Sequence, residues 1–310
     1  MPVADPVIIL ALPRSYSSLT CAMLGQHPQM YDLLETQLFE VDVMQQWWAE
    51  YGEDNHDADG LTRVIGEVFF GGQSPQTILA AREWLWERRI RTTGDVLKEL
   101  GEQLHPLRMI EKTPLEGIDD QEVRCKLRRQ LLTFPQARFL HLVRHPRAYA
   151  RSHLSHLAAM SRASRHPERM ARRYARILDG IVLDPQVLWY RVNFNIDCFL
   201  RGLAPEQHLR ICGEDLLSEP KLQLRKIAKW LGLSTNAATL AEMQHPDRSP
   251  FACFGPPNAR FGGDPRFFRD PVLHCMPPGE ESLADALEWR TDGSGFHLET
   301  RLLAREFGYN

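Results

Sequence analysis

The sequence predicts an α/β fold, a central and mainly parallel sheet flanked by helices. Two strand signals and one pattern carry this. Val7-Ile8-Ile9-Leu10-Ala11-Leu12 is a continuous apolar, β-branched run, the pattern of a strand buried on both faces. Arg138-Phe139-Leu140-His141-Leu142-Val143 is a second strand signal. Helical periodicity follows each, and strands alternating with helices imply a parallel sheet. The 310 residues fit one large α/β domain or two small ones.

The elements follow in order. After the first strand comes the polar turn Pro13-Arg14-Ser15-Tyr16-Ser17-Ser18. Leu19, Ala22, Met23 and Leu24 then give a short helix, ended by Gly25 and His27-Pro28. Residues 40 to 105 read as helical but irregular, broken at Asp54 to Gly60 and at Gly71-Gly72-Gln73-Ser74-Pro75. Within them, Gln76 to Arg91 has helical spacing through Ile78, Leu79, Trp84, Leu85 and Ile90. Met109-Ile110-Glu111 is a short strand before Lys112-Thr113-Pro114, and Glu122 to Leu132 is a helix. Behind the strand Arg138 to Val143, Arg144-His145-Pro146 leads into a helix from about Arg147 to Met160. Val187 to Leu203 is another helix, and His208-Leu209-Arg210-Ile211-Cys212 another strand. Glu214-Asp215-Leu216 leads to a helix from about Lys221 to Leu231, stopped by Gly232. Residues 245 to 280 are rich in Pro, Gly and Phe with little periodicity. A loop that long in a compact domain is usually functional or disordered. Leu302-Leu303-Ala304 closes with a short helix.

Composition excludes several classes. Hydrophobic residues at 43% and charged residues at 25% describe a folded protein, not a disordered one. The net charge of -3 argues against a generic nucleic-acid binder. The run from Val7 to Leu12 is far short of the about 20 residues of a spanning helix. The start lacks the basic and apolar regions of a signal peptide. Cys21, Cys125, Cys198, Cys212, Cys253 and Cys275 are dispersed, which reads as buried free thiols in a reducing compartment. A cytoplasmic location is expected.

Two motifs carry chemistry. The turn from Pro13 to Ser18 joins a buried strand to a helix, where backbone N–H groups and the helix dipole favour a phosphate-like anion. Arg14 adds a permanent charge, and Ser15, Ser17 and Ser18 add hydroxyls. A plain polar turn with an N-cap serine is the competing reading. A Walker A loop is not, because no Gly-Lys pair occurs in the chain. The second motif is Arg144 at a strand's carboxyl end, where open α/β sheets bind ligands, with Ser152 two turns into the next helix. Arg144 can hold an anionic group in bidentate fashion. Taken alone, it reads better as a structural arginine that caps a helix or pairs with an acid. Two anion sites on one sheet suggest a nucleotide with phosphates at both ends.

At this point the chain resembles a known family. Pro13-Arg14-Ser15-Tyr16-Ser17-Ser18-Leu19 is similar to the 5'-phosphosulfate loop of sulfotransferases. Leu142-Val143-Arg144-His145-Pro146 through Ser152 is similar to their 3'-phosphate motif, and Glu111-Lys112-Thr113-Pro114 resembles a segment of the carbohydrate sulfotransferases. Glu214-Asp215-Leu216, Pro220 and Trp230-Leu231-Gly232-Leu233 extend the match over most of residues 7 to 233. Leu12 to Thr36 resembles the protein-tyrosine branch without a gap, including His27-Pro28 and Glu35-Thr36.

The resemblance implies a P-loop-like three-layer sandwich and 3'-phosphoadenosine 5'-phosphosulfate (PAPS) as sulfuryl donor, with no metal. It implies that Arg14, the backbone from Ser15 through Tyr16 to Leu19, and the hydroxyls of Ser17 and Ser18 hold the phosphosulfate. It implies Arg144 and Ser152 at the 3'-phosphate. Glu35 would be the general base, with Glu40 in reserve, and Arg14 and Lys112 would stabilise charge on the transferring group. One domain over 1–310 is expected. Its donor core would span about 7–36 and 109–233, an acceptor-shaping helical region about 42–105, and a donor-covering loop about 245–280. In that loop, Phe254 to Pro265 resembles a late loop of bacterial sulfotransferases, with Arg260 or Gly262-Gly263 reaching the 3'-phosphate.

The chain departs from the family pattern at Tyr16, where the loop usually has Gly, and at Gly213, where the tyrosine branch has Tyr. A Tyr wants an ordinary φ, so a turn without positive φ is expected here, with the ring free to stack on a ligand. Other residues read more plainly. His141, His145, His153 and His156 are expected to be solvated or hydrogen-bonded rather than metal ligands. Trp47, Trp48, Trp84 and Trp86 fit a core better than a pocket. Arg162, Arg165, Arg169, Arg172, Arg173 and Arg176 fit a solvated helix face better than a surface that attracts an acidic acceptor. A non-catalytic nucleotide-binding protein and a P-loop kinase of a small metabolite are the rival functions. The acceptor is a hydroxyl on a small molecule, sugar, lipid or peptide tyrosine, and the sequence does not choose among them or give the oligomeric state.

Overall fold

The computed structural model describes residues 5–52, 55–115, 120–163, 184–277, 279 and 281–310. Five parallel strands form its centre: β1 (Val7–Leu10), β2 (Met30–Asp32), β3 (Arg108–Glu111), β4 (Arg138–Val143) and β5 (His208–Cys212). Their order is β2-β3-β1-β4-β5. β1 is central, with Val7 opposite Ile110 of β3 and Arg138 of β4. Its side chains divide by a period of two. Ile8, Leu10 and Leu12 enter one core, Val7, Ile9 and Ala11 the other. Burial on both faces removes any need for polar alternation, which is why the run reads as continuously apolar.

Helices cover both faces. Between β2 and β3 lie α2 (Met44–Tyr51), α3 (Asp59–Phe70), α4 (Pro75–Glu87) and α5 (Thr93–Leu104). They bring Trp47, Leu61, Ile65, Leu85 and Leu97 to the larger core. α6 (Asp120–Thr133), α7 (Pro146–Ala163) and α8 (Pro185–Leu200) flank β4, and α6 and α8 supply Leu127, Trp189 and Val192 to the same face. α1 (Ser17–Gly25), α9 (Gly213–Ser218), α10 (Pro220–Trp230) and α11 (Ala237–Glu242) close the opposite face through Met23, Leu216, Leu224, Ile227 and Leu240. Two short helices follow, α12 (Pro265–Arg269) and α13 (Leu298–Glu306). The expected α/β class with a central parallel sheet is what the chain adopts. No described helix is long and apolar enough to cross a membrane.

The differences from expectation are local. β1 stops at Leu10, because Ala11 and Leu12 stay buried while the chain leaves the ladder for the turn. β2 is an edge strand of three residues, too short to show a period. The helix expected from Val187 starts earlier, because Asp184 caps it by accepting from the Gln186 amide and Pro185 opens it. The six cysteines are free, but only Cys21 is buried; Cys198, Cys253 and Cys275 are exposed, which corrects the expectation of buried thiols. With every strand parallel, the carboxyl ends of β1 to β5 share one edge, and the loops leaving them build the site.

Candidate active site

The turn after β1 is tighter than expected. Arg14 has φ 66° and Tyr16 φ 65°, two left-handed residues separated by one. Tyr16 is the N-cap of α1, and its carbonyl accepts from the Thr20 amide at 2.9 Å. The expectation of ordinary φ at Tyr16 is therefore wrong. The surroundings outweigh the local preference: the ring packs on Gly213 and lies under the Arg144 guanidinium, 4.4 Å from ring centroid to Cζ. Ser15, Ser17 and Ser18 of the turn are buried, and Leu19 packs against the smaller core.

β3 ends in Glu111, and the next residue, Lys112, is 2% exposed. Its Nζ donates to Ser18 Oγ at 2.8 Å and to Glu35 Oε1 at 2.7 Å. One ammonium thus joins the turn after β1 to the segment after β2. Below it, Glu111 Oε1 accepts from Thr113 Oγ1 and from Thr36 Oγ1, and Thr113 Oγ1 accepts from the amides of Thr36 and Gln37. Burial pushes the Glu111 carboxyl above its ordinary range, against the opposing hydrogen bond from Thr113. The Glu-Lys-Thr segment and the Glu-Thr pair hold each other in place by these bonds.

Arg14 faces the same space. Its Nη1 pairs with Asp264 Oδ1 at 2.7 Å, and its Nε donates to Ser152 Oγ at 3.4 Å. Its carbonyl accepts from Arg144 Nη1 at 2.7 Å. The carbonyl of Arg144 is held by Trp189 Nε1 at 2.8 Å. Arg144 Nε is buried with no hydrogen-bond partner among the described residues. A buried donor on a cation without an acceptor is costly, and an anion there would satisfy it. Behind it, Glu214 accepts from the His145 amide and from Tyr309 Oη, each at 2.9 Å.

The loop from Phe254 is bonded to these segments, in part by residues the sequence did not single out. Arg63 of α3 is fully buried and donates to the carbonyls of Phe261 and Cys253 at 2.8 Å and to Gln73 Oε1 at 2.7 Å. Asp59 accepts from the Phe261 amide at 2.9 Å. The Gly262 carbonyl then accepts from the Glu35 amide at 2.9 Å, and the Asp264 amide donates to Ser18 Oγ at 3.3 Å. Burial alone would raise the Asp264 carboxyl; Arg14 and the Arg266 amide outweigh it and hold it below its ordinary value. Arg260 is exposed and lies over the Phe254 ring. The only local sign of Asp264 is the run Asp264-Pro265, a helix start.

The model of the sulfotransferase family matches residues 6–237. The chain belongs to the sulfotransferase family. Two solved structures are similar over nearly its whole length. One is a sulfotransferase domain from the curacin biosynthetic pathway, 22% identical, TM-score 0.74, covering 100% of this chain and 99% of that one. The other is a sulfotransferase domain from the Synechococcus PCC 7002 olefin synthase, 23% identical, TM-score 0.70, covering 99% and 95%. No curated protein matches the chain. The five-stranded sheet with its flanking helices is the P-loop-like sulfotransferase fold.

Glu40, the reserve base, is taken up by Lys126, which also donates to the Pro114 carbonyl. His141 bonds Asn193 at 3.0 Å, and burial pushes it down to about 3. His153 stacks on Tyr149 and is pushed down to about 4 by burial, with His156 and Arg14 adding to the effect. Among the described residues no group of three His, Cys, Asp or Glu could hold a metal ion. Trp47 is core, its Nε1 donating to the Thr36 carbonyl at 3.2 Å. Trp48 and Trp86 instead line a surface hollow with Gln45, Ala49 and Ile90. Arg165, Arg169, Arg172, Arg173 and Arg176 lie outside the described residues, as does the side chain of Arg162.

Proposed function

We propose that this sulfotransferase moves the sulfuryl group of PAPS to a hydroxyl acceptor, leaving a sulfate ester and adenosine 3',5'-bisphosphate. The observation that carries the reading is the single cation, Lys112 Nζ, bonded both to Ser18 of the turn and to the Glu35 carboxylate. The donor supplies the sulfuryl group and its leaving phosphate. The chain does the rest. The turn amides, Arg14 and Ser18 bind the phosphosulfate. Arg144, with its unpartnered Nε, and Ser152 bind the 3'-phosphate. Glu35 takes the proton of the acceptor hydroxyl as its oxygen bonds to sulfur. Arg14 and Lys112 balance charge on the transferring group, as cations do in phosphoryl transfer.

The acceptor enters over the region about 42–105, which includes α2 to α5, and the loop about 245–280 covers the donor. The core about 7–36 and 109–233 and both coverings act as one unit, since Arg63 and Asp59 in the first bond to the second. Arg260 or the backbone at Gly262-Gly263 adds a contact to the 3'-phosphate.

The test is thermal unfolding with and without adenosine 3',5'-bisphosphate, on the native chain and on Arg144→Ala, with ATP as control. A ligand at 100 times its Kd adds about 2.7 kcal/mol. Stabilisation of the native chain that is lost in the variant and exceeds that of ATP supports the donor site. Stabilisation by ATP alone, or by neither, overturns it in favour of a kinase or a non-catalytic binder.

A further inference from the structure

Tyr16 has a cost that needs a return. A non-glycine residue at φ 65° strains the backbone, and the strain persists only where the surroundings impose it. Here the surroundings are built for the ring. A Cβ on Gly213 would stand 2.4 Å from Tyr16 Cδ2 and 3.0 Å from Cε2, so no other residue at 213 leaves the ring in place. Gly213 opens α9 directly behind β5. Above the ring lies the Arg144 guanidinium, 4.4 Å away, whose Nη1 is tied to the Arg14 carbonyl. The guanidinium is thus fixed by a ring on its face and a carbonyl at one edge, while Nε stays buried and unpartnered.

We propose that Tyr16 is a positioning residue for Arg144, and that Tyr16 with Gly213 sets the chain's preference for nucleotides that carry a 3'-phosphate. The ring does not stack on the ligand. It holds the arginine in one rotamer before the ligand arrives, so less side-chain entropy is lost on binding. A glycine at 16 would relax the turn and leave Arg144 without its platform. A side chain at 213 would push the ring away. The two departures from the family pattern are thereby one feature: the bulk absent at 213 is present at 16. This rests on the PAPS reading above.

The test compares the affinities of adenosine 3',5'-bisphosphate and adenosine 5'-monophosphate by calorimetry, for the native chain, Tyr16→Phe, Tyr16→Gly and Gly213→Ala. The ratio of the two affinities isolates the 3'-phosphate. Tyr16→Phe keeps a ring face and should keep the ratio. Tyr16→Gly and Gly213→Ala should each lower it about tenfold, since any change in the turn weighs on the 5'-phosphate of both ligands alike and cancels in the ratio. Tyr16→Gly relieves strain and decides the matter if Gly213→Ala fails to fold. An unchanged ratio in Tyr16→Gly, or equal loss of both ligands, overturns the positioning role while the donor site stands. A native chain with no preference for the bisphosphate overturns the PAPS reading and this proposal with it.

Discussion

Lys112 Nζ lies 2.7 Å from Glu35 Oε1, although the two residues are 77 apart in the chain. They meet because β3, which ends just before Lys112, lies beside both β1 and β2 in the sheet. Lys112 is 2% exposed along its side chain and Glu35 22%. The lysine is therefore shut in, while the carboxylate keeps an open side. That asymmetry suits a cation that stays and a carboxylate that meets an incoming hydroxyl.

Replacing Glu35 by Gln tests the second role. The amide keeps the shape and can still accept from Lys112, but cannot take a proton. Turnover should fall by roughly 10²–10⁴, with bisphosphate affinity held within about twofold. Single-turnover kinetics at saturating donor would read it. Unchanged turnover removes Glu35 from the chemistry.

Asp264 occupies Arg14 on the side where the donor's phosphosulfate is proposed to bind, at 2.7 Å. A carboxylate and a phosphosulfate compete for one guanidinium. Asp264→Asn removes the charge and keeps a side chain able to cap α12. Donor affinity should rise about two- to fivefold, the scale of one partly exposed ion pair. Direct titration of the bisphosphate checks it. Weaker binding would make Asp264 a supporting contact of the loop instead.

How much of this is legible beforehand varies with distance along the chain. β1, β4 and β5 are readable because their local composition matches a half- or fully buried strand. β2 is not, since Met30–Asp32 is held by pairing with Arg108–Ile110 rather than by any period of its own. Arg14, Arg144 and Lys112 follow strand ends, so topology points at them. Asp264 reads as a helix cap, and it is one, accepting from the Arg266 amide at 2.9 Å. Nothing local says that the same carboxylate pairs with Arg14. Tyr16 misleads because a bulky residue signals an ordinary φ, and only Gly213 and Arg144, both far along the chain, supply the counterweight.

Gly60 is where three segments converge on Glu35. A Cβ there would stand 2.0 Å from the Glu35 carbonyl oxygen, and a Cβ on Gly262 would stand 2.4 Å from Gly60 Cα. Gly60→Ala must move either the Glu35 segment or α3. A displacement of about 1 Å at a reacting group can cost about 10² in rate. The expected outcome is a large fall in kcat with bisphosphate binding retained, because the turn and Arg144 lie elsewhere. Equal losses in binding and kcat would mean that the whole site has collapsed.

Asp32 links this edge of the sheet to pH. Its carboxyl is 4% exposed, and burial pushes it up to about 7. Ser249 Oγ donates to it at 2.6 Å, and Lys112 also favours the charged form, but neither overcomes the desolvation. The crowding is close: a Cβ on Gly25 would meet Asp32 Oδ1 at 2.2 Å. A carboxyl raised in the folded state binds a proton that the unfolded chain has already lost. Its contribution to stability is therefore full below the unfolded value of about 4, falls as pH rises from about 4 to about 7, and is flat above. Each unit in that window removes about 1.4 kcal/mol, up to about 4 kcal/mol in all. Asp32→Asn resembles the protonated acid and does not titrate. Urea unfolding of both proteins from pH 4 to pH 8 should show the variant matching the native chain at the acid end and gaining on it steadily toward neutrality. Parallel profiles would mean that Asp32 titrates in the folded protein as it does in the unfolded chain, with Lys112 and Ser249 offsetting the burial.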